Sequence, residues 1–187
     1  MSQKKVNSSN KAPSFDNCEA IVTISDGSWE NWSTDLTALA NQLLQLSLNH
    51  ELLNQNIELL PTNNHVDMSF LFTTDLEVQQ LNKDFRDKDQ PTNVLSFPDT
   101  ELTLENLQSA LRFKEPLSLG DIALAEGTIL KEAIDQGKTA IDHLTHLILH
   151  GILHLLGYDH VVDSDAEQME QHEINLLAEL GIQNPYL

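Results

Sequence analysis

The sequence predicts an α+β fold, with one small mixed β-sheet of about four strands packed against about five helices. Four short segments rich in apolar or alternating residues have the length of strands. Between them lie segments whose apolar residues recur every three or four positions, as on one face of a helix. The last third of the chain shows only this helical spacing. Strands interspersed with helices and followed by helices alone favour a sheet covered by helices.

The four predicted strands span 20–24, 66–72, 93–97 and 119–125. Pro98 follows the third strand and should end it, because proline cannot donate to the ladder. Residues 99–116 show little periodicity, so we expect a variable loop there, with room for a helical turn. Residues 1–18 are polar and small, and we expect a disordered tail before a single domain over 19–187.

Helical spacing and end signals predict five helices, at 34–48, from 74 onwards, at 127–136, at 139–156 and at 164–180. Ser33 or Thr34 suits the N-cap of the first helix. Residues 74–77 and 164–167 have the form of capping boxes, which should start the second and fifth helices. The helix over 139–156 is apolar on nearly all sides, so it should be the buried centre of the molecule.

That central helix carries His150 and His154, which are four residues apart and therefore share one helical face. Gly157 suits the position just after a helix, where the chain adopts a positive φ and turns back. The turn would return His160 to the same point as the two helical histidines. Three histidines can bind one metal through bonds of about 2.0–2.1 Å and leave the fourth tetrahedral position open, as in catalytic zinc sites. The helix therefore resembles the central helix of a zinc hydrolase.

The spacing H-x-x-x-H-x-x-G-x-x-H is also that of the metzincin peptidases, which carry a glutamate directly after the first histidine as general base. Gly151 occupies that position here. The missing glutamate argues against peptide hydrolysis, although a zinc metallopeptidase stays an alternative. A non-catalytic protein with a structural metal is a second alternative, which a fourth protein ligand would favour.

Charge and composition limit the kinds of partner. The chain carries 10 basic and 29 acidic residues, for a net charge of −19. Such a charge disfavours nucleic-acid binding through the field of the whole protein but is compatible with a local cationic site. No apolar run reaches the ~18 residues that cross a membrane, and the N-terminus lacks the apolar segment of a secretory signal. The single cysteine, Cys18, suits a reducing compartment, so we expect a cytoplasmic protein.

Two separated blocks of the chain resemble the YbeY family of bacterial endoribonucleases and rRNA maturation factors. One block is 150–160, and the other comprises 81–86 and 91–98. The segment 119–122 also resembles the strand that precedes the family's helices. The two blocks together are more specific than the histidine motif, which by itself also fits peptidases.

The resemblance implies a zinc-dependent hydrolase that cleaves single-stranded RNA. It also implies work on the 3′ end of small-subunit rRNA and in ribosome quality control, with ribosomal particles as partners. The corresponding alternative is a non-catalytic ribosome-assembly factor with a structural metal. The histidine spacing by itself indicates only a hydrolytic site with one zinc-class ion per chain. It does not distinguish a water nucleophile from the 2′-hydroxyl of the substrate.

Phosphodiester cleavage concentrates negative charge on phosphate oxygens, and a fixed cation would stabilise that charge. The chain has two arginines, Arg86 and Arg112, and only Arg86 lies in a block that resembles the family. We therefore predict that Arg86 and His150 are catalytic, and that Arg86 and Lys88 bind the substrate.

Four further polar residues have two interpretations each. Ser96 would donate to the substrate or be buried by strand alternation. Asp159 would replace the missing general base or orient a histidine from outside the metal's ligand set. His143 and His146 continue the histidine stripe of the central helix and would support the ligands or make ordinary polar contacts.

Overall fold

The computed structural model describes residues 17–54 and 65–187. In this part of the chain the elements are, in order, β1 (Cys18–Ile24), a short 3₁₀ helix (Trp29–Asn31), α1 (Leu36–Asn54), β2 (Val66–Thr73), α2 (Asp75–Arg86), β3 (Val94–Pro98), α3 (Leu104–Phe113), β4 (Leu117–Ala125), α4 (Glu126–Asp135), α5 (Ala140–Leu155) and α6 (Asp163–Glu179). The predicted tail over 1–18 lies outside the described residues except for its last two positions, and Cys18 already begins β1.

The four strands form one mixed sheet in the order β1-β2-β4-β3. β1, β2 and β4 run parallel, whereas β3 pairs antiparallel with β4 and occupies an edge. α1 supplies the crossover that a parallel β1–β2 pair requires. The mixed sheet and its helices confirm the predicted α+β class. The described residues contain six α-helices rather than about five.

Helices cover both faces of this sheet, and strand alternation divides the apolar residues between the faces. Ile122 and Leu124 of β4 belong to the main core, which also contains residues of α1 and α5. Ala123 and Ala125 point the other way and pack with Val78 of α2. Helix α5 therefore lies on one face of β4 and α2 on the other.

Helix α5 is the central helix, as the sequence predicted. Most of its residues are buried, and it packs against β3, β4, α1, α4 and α6. Its N-cap is Thr139, whose side chain accepts a hydrogen bond from the backbone N–H of Asp142 at 3.1 Å. Over 17–54 and 65–187, no helix has the combined length and apolar character needed to cross a membrane.

Within the segment predicted as a variable loop, Leu104–Phe113 forms helix α3, so that part of the prediction was wrong. α3 begins after Thr103, whose side chain accepts from the backbone N–H of Asn106 at 3.1 Å. Leu107 is the buried residue of this helix. Leu104, Leu107 and Leu111 recur at spacings of three and four, so the sequence did carry a helical pattern, which the prediction of a loop overlooked.

Two helix starts also differ from prediction. α1 is capped by Asp35, whose Oδ1 accepts from the backbone N–H of Ala38 at 3.0 Å, and not by Ser33 or Thr34. α6 begins at Asp163 after Val162, which makes no side-chain cap bond, so the predicted box at 164–167 does not form. Capping sequences are short and common, and which one is used depends on where tertiary packing starts the helix.

At the start of α2, only the first of the two hydrogen bonds of a capping box forms. The side chain of Thr74 accepts from the backbone N–H of Glu77 at 3.4 Å. The carboxylate of Glu77 does not reach back to the cap, however, because it accepts from the hydroxyls of Ser25 and Thr73 instead. This end of α2 is therefore tied to the loop after β1.

Candidate metal centre

His150 and His154 project from the last turns of α5, and His160 returns from the loop that follows. The Nε2 atoms of His150 and His154 lie 3.1 Å apart, and one ring nitrogen of each of the three histidines lies within 4.8 Å of the others. Ligand nitrogens on a tetrahedral zinc ion lie about 3.3 Å apart, given bonds of about 2.0–2.1 Å. The three histidines therefore fit one zinc-class ion. No fourth histidine, cysteine or carboxylate within 17–54 and 65–187 joins this group.

The outer ring nitrogens of both helical histidines face oxygen acceptors. His150 Nδ1 lies 2.7 Å from Glu173 Oε1, and His154 Nδ1 lies 3.0 Å from the backbone oxygen of Tyr158. A carbonyl or carboxylate oxygen cannot donate, so the proton of each neutral ring must be on Nδ1. The lone pair of each Nε2 is then directed toward the shared centre, as a metal ligand requires.

Burial helps to keep His154 neutral. It lowers the pKa of His154 below the ordinary value of 6.5, and the nearby His150 lowers it further. The hydrogen bond to the Tyr158 carbonyl acts in the opposite direction without reversing the shift. His154 is therefore uncharged at neutral pH, which is the form that binds metal.

The turn that returns His160 depends on backbone conformation. Gly157 has a φ of 96°, in the left-handed region that favours glycine. The backbone N–H of Tyr158 then donates to the carbonyl of Leu153 at 3.0 Å, which closes the end of α5. Asp159 Oδ1 accepts from the backbone N–H of His160 at 2.7 Å, so this contact of Asp159 orders the turn rather than a histidine ring.

Glu51, a buried carboxylate of α1, holds the same turn through Tyr158. The hydroxyl of Tyr158 donates to Glu51 Oε2 at 2.6 Å, and Glu51 is only 2% exposed. Burial and this bond both raise the pKa of Tyr158 well above its usual range, so the hydroxyl stays a donor. The Tyr158 backbone that accepts from His154 is thus fixed to another helix.

Glu173 of α6 is fully buried between α5 and the segment after α6. Its Oε1 accepts from His150, and its Oε2 accepts from His146 Nε2 at 2.8 Å and from the hydroxyl of Tyr186. Burial opposes ionisation of this carboxyl, but the hydrogen bonds from His146 and His150 outweigh it and lower the pKa to about 2. Glu173 is therefore an anion, and His146 belongs to the network that supports His150.

The three histidines open into a cleft of about 650 Å³, which Arg86 also lines. Arg86 is the last residue of α2, and its Nη2 donates to the backbone oxygen of Ser96 at 3.0 Å. Across 17–54 and 65–187, no carboxylate lies within ion-pair distance of this guanidinium. Its positive charge thus faces the cleft without an anionic partner from that part of the chain.

Lys88 takes a different position from Arg86. It is exposed in the turn after α2, where its backbone N–H donates to the carbonyl of Asn82 at 3.2 Å. Lys88 does not line the histidine cleft. A contribution of Lys88 to substrate binding therefore stays a prediction, and it would require a substrate that extends beyond the cleft.

Gly151 faces the sheet, where α5 packs closely against β3 and β4. Ser96 is 7% exposed, and its hydroxyl donates to the backbone oxygen of Gly151 at 3.2 Å. A methyl group at position 151 would lie 3.1 Å from Ile122 Cδ1 and 3.2 Å from Ser96 Oγ. Ser96 lines the histidine cleft, but its hydroxyl is buried against α5, so of its two interpretations burial is the one observed. A side chain at position 151 would require Ile122 and Ser96 to shift by a few tenths of an ångström.

We predict that Gly151→Glu destabilises the protein and creates no peptidase. The new side chain would overpack the contact with Ile122, at a typical cost of about 1–3 kcal/mol, and would bury an unpaired charge. Thermal melting should show a lower midpoint, and casein should stay intact. Ile134→Glu is the control for an added carboxylate, because Ile134 is 78% exposed. A stable Gly151→Glu protein that hydrolyses casein would contradict this prediction.

His143 makes a separate polar contact. Its Nε2 lies 2.8 Å from Glu132 Oε2, and the side-chain amide of Asn93 donates to the same oxygen at 2.9 Å. Asn93 lines the cleft, whereas the hydrogen-bond partner of His143 is Glu132, which is not one of the three clustered histidines. For His143 the ordinary polar contact is thus the interpretation observed, and Glu132 holds Asn93 in place at the cleft wall.

Sequence reasoning did not identify the two buried carboxylates behind the site. Glu173 lies four residues after Met169 and four before Leu177, so it shares the buried apolar face of α6. Glu51 likewise follows Leu44 by seven residues on α1. A carboxylate on an otherwise apolar helical face is rarely buried without a partner, and this signal could have found both residues.

Comparison with known proteins agrees with the two sequence blocks. A family model described as endoribonuclease YbeY matches residues 24–181. The chain is 42% identical over 168 residues to the endoribonuclease YbeY of Paramagnetospirillum magneticum, covering 90% of this chain and 95% of that protein. It is 39% identical over 159 residues to the one of Agrobacterium fabrum, covering 84% and 89%. A solution structure from Thermotoga maritima aligns with a TM-score of 0.48 and 22% identity, covering 87% of this chain and 91% of that one. On the family match and these identities, the chain belongs to the endoribonuclease YbeY family.

Proposed function

We propose that this protein is a zinc-dependent endoribonuclease that cleaves single-stranded RNA. The observation that carries the proposal is the shared cleft, in which the three histidine ligands and an arginine without a carboxylate partner in the described chain face one space. Membership of a family named for endoribonuclease activity supports RNA as the substrate. We further propose that it acts in the cytoplasm on the 3′ end of small-subunit rRNA, within ribosomal particles, and in ribosome quality control.

The metal ligands and the groups that orient them have separate roles. His150, His154 and His160 would hold one zinc ion per chain. When bound, this ion would act as a Lewis acid, lowering the pKa of a coordinated water and polarising a phosphoryl oxygen. Glu173 and the Tyr158 carbonyl keep the two helical rings in the tautomer that binds.

Arg86 binds and orients the scissile phosphate. Its hydrogen bond to Ser96 fixes one nitrogen of the guanidinium, and the remaining N–H groups can donate to two phosphate oxygens at once. This contact strengthens as negative charge develops on those oxygens in the transition state. It also provides a local attraction for RNA on a protein whose net charge is −19.

Two nucleophiles fit this site, and the product ends distinguish them. Of the described residues that line the cleft, Asp159 alone carries a carboxylate, and its Oδ1 already accepts from the backbone of His160. Attack by the 2′-hydroxyl of the substrate would leave a 2′,3′-cyclic phosphate, whereas attack by water would not. Analysis of the 3′ ends of the products by mass spectrometry therefore decides between the two routes.

The alternatives differ from the proposal in specific features of the site. A zinc metallopeptidase of the metzincin kind needs a glutamate at the position of Gly151, which packs against the sheet instead. A non-catalytic assembly factor with a structural metal would be expected to close its coordination with a fourth ligand. The described chain offers three, which supports an open and hence catalytic site.

A panel of matched substrates tests the proposal. Purified protein is incubated with a labelled single-stranded RNA, with the same RNA in a duplex, with the all-deoxy strand and with casein. We expect cleavage of the single-stranded RNA and little or none of the other three. Efficient casein hydrolysis without RNA cleavage would favour the peptidase, and no cleavage of any substrate by the zinc-loaded protein would favour the assembly factor.

We predict that metal binding and RNA cleavage weaken together as the pH falls. Protons compete with metal for neutral histidine, so occupancy is lost when the ligands become charged. Because burial lowers the pKa of His154 below 6.5, this ligand resists protonation and release should occur below that pH. Zinc content after gel filtration and RNA cleavage are measured across a pH series. A profile that stays flat down to about pH 5 would contradict histidine ligation.

A further inference from the structure

We propose that Glu173 is a positioning residue that prepares His150 to bind metal, and that Tyr186 holds Glu173 in place for this task. The inference rests on the proposed function, since it assigns residues outside the ligand set to the same metal centre. Neither residue lines the cleft, so neither can touch the substrate there.

The contacts of Glu173 are complete on both oxygens. Oε1 lies 2.7 Å from His150 Nδ1, and Oε2 lies 2.8 Å from His146 Nε2 and also accepts from the Tyr186 hydroxyl. Glu173 is fully buried and comes from α6, whereas both histidines come from α5. One carboxylate of a neighbouring helix therefore fixes the outer face of a predicted metal ligand.

A fold-stabilising role alone does not account for a carboxylate at this position. Its neighbours on the buried face of α6 include Met169, Leu176 and Leu177, so a leucine would pack there. An apolar contact in place of the whole group, the carboxylate together with its donors, would be expected to be neutral or stabilising, because desolvation of a buried anion offsets much of its attraction. A carboxylate does, however, what leucine cannot: it fixes the Nδ1–H tautomer of His150 and makes Nε2 a stronger ligand.

Tyr186 supports this carboxylate from the segment that follows α6. Its ring lies edge-on to His146, with 5.8 Å between the centroids. The neighbouring Pro185 carbonyl accepts from Lys138 Nζ at 2.9 Å, which ties the segment to the loop before α5. Without the Tyr186 hydroxyl, Oε2 would keep only His146 as a donor, and the carboxylate would be less firmly oriented toward His150.

Helix α5 offers a matched control for this arrangement. His143 Nε2 lies 2.8 Å from Glu132 Oε2, so another histidine of the same helix is also paired with a carboxylate. His143 is not among the three clustered histidines. Because Glu132 also holds Asn93 at the cleft wall, this control is read by Zn²⁺ affinity and not by RNA cleavage. Loss of the Glu132 carboxylate should leave Zn²⁺ affinity unchanged, whereas loss of the Glu173 carboxylate should not.

The experiment compares Glu173→Leu, Glu173→Gln, Tyr186→Phe and Glu132→Leu with the unaltered protein. Zn²⁺ affinity is measured by competition with a chromophoric chelator, and the tautomer of His150 is read from ¹⁵N chemical shifts of the metal-free protein. We expect Glu173→Leu to lose about 10–100-fold in affinity and to release His150 from its single tautomer. Glu173→Gln should fall between it and the unaltered protein, because the amide keeps one acceptor without the charge.

Tyr186→Phe should lose about two- to tenfold in affinity, the usual effect of one hydrogen bond. Glu132→Leu should stay within about twofold of the unaltered protein. If Glu173→Leu keeps both its affinity and the His150 tautomer, the inference is overturned. If that variant does not fold, unchanged affinity in both Glu173→Gln and Tyr186→Phe overturns it instead. A protein that cleaves no RNA but shows these shifts would refute the proposed function and leave this inference standing.

Discussion

Replacement of Arg86 by alanine should lower single-turnover cleavage of RNA by about 10²–10³-fold, with fold and zinc content unchanged. This is the usual loss when one group that stabilises developing charge is removed. Arg86 lines the histidine cleft and has no ion-pair partner within the described residues. It is also exposed, so its removal should not disturb the core.

The size of the expected effect follows from the charge of the protein. The chain carries −19, so the field of the whole molecule repels RNA. One bound divalent ion supplies two positive charges, and the substrate phosphate and the nucleophile offset them in the transition state. A second fixed cation is then needed where charge accumulates, and a guanidinium stays charged at every relevant pH.

Two variants test the role of Arg86. Arg86→Lys should recover only part of the rate, since an ammonium group cannot grip two phosphate oxygens in the same fixed geometry. Arg112→Ala is the matched control, because Arg112 is the other arginine of the chain and stacks over Phe113 on α3 instead. If Arg86→Ala cleaves saturating RNA within about threefold of the unaltered protein, the charge-stabilising group lies elsewhere.

His154→Ala should bind well below one equivalent of zinc per chain and lose nearly all RNA cleavage. Removing one of three ligands leaves two nitrogens, which is too few for a stable zinc site. Atomic absorption on gel-filtered protein gives the zinc content, and circular dichroism checks the fold. His65→Ala is a suitable control, because His65 pairs with Glu19 rather than with the three clustered histidines. Full zinc occupancy in His154→Ala would disprove the ligand assignment.

The parts of the fold that the sequence predicted are those governed by local spacing. An i, i+4 pair and a glycine with positive φ are properties of a few neighbouring residues, so the three histidines come together as expected. The burial of α5 followed from its apolar circumference, which does not depend on the identity of its neighbours. The α+β class followed from the alternation of the two periodicities.

The sequence could mark Glu173 and Glu51 as buried carboxylates but could not give their partners, because these contacts join distant parts of the chain. Glu173 reaches His150 across 23 positions, and Glu51 reaches Tyr158 across 107. The antiparallel placement of β3 at the sheet edge likewise depends on pairing with β4, which lies beyond α3. Whether a serine at 96 faces substrate or core also depended on which side of β3 the central helix covers.

Zinc titration of the metal-free protein decides whether the three histidines hold a catalytic metal. Protein stripped by chelator is titrated with Zn²⁺, and cleavage of one single-stranded RNA is measured at each point beside His154→Ala. We expect no cleavage at zero zinc, a linear rise with added zinc and a break at one equivalent per chain, with no response from the variant. Cleavage that persists in protein holding less than about a tenth of an equivalent would contradict a catalytic metal at these three histidines.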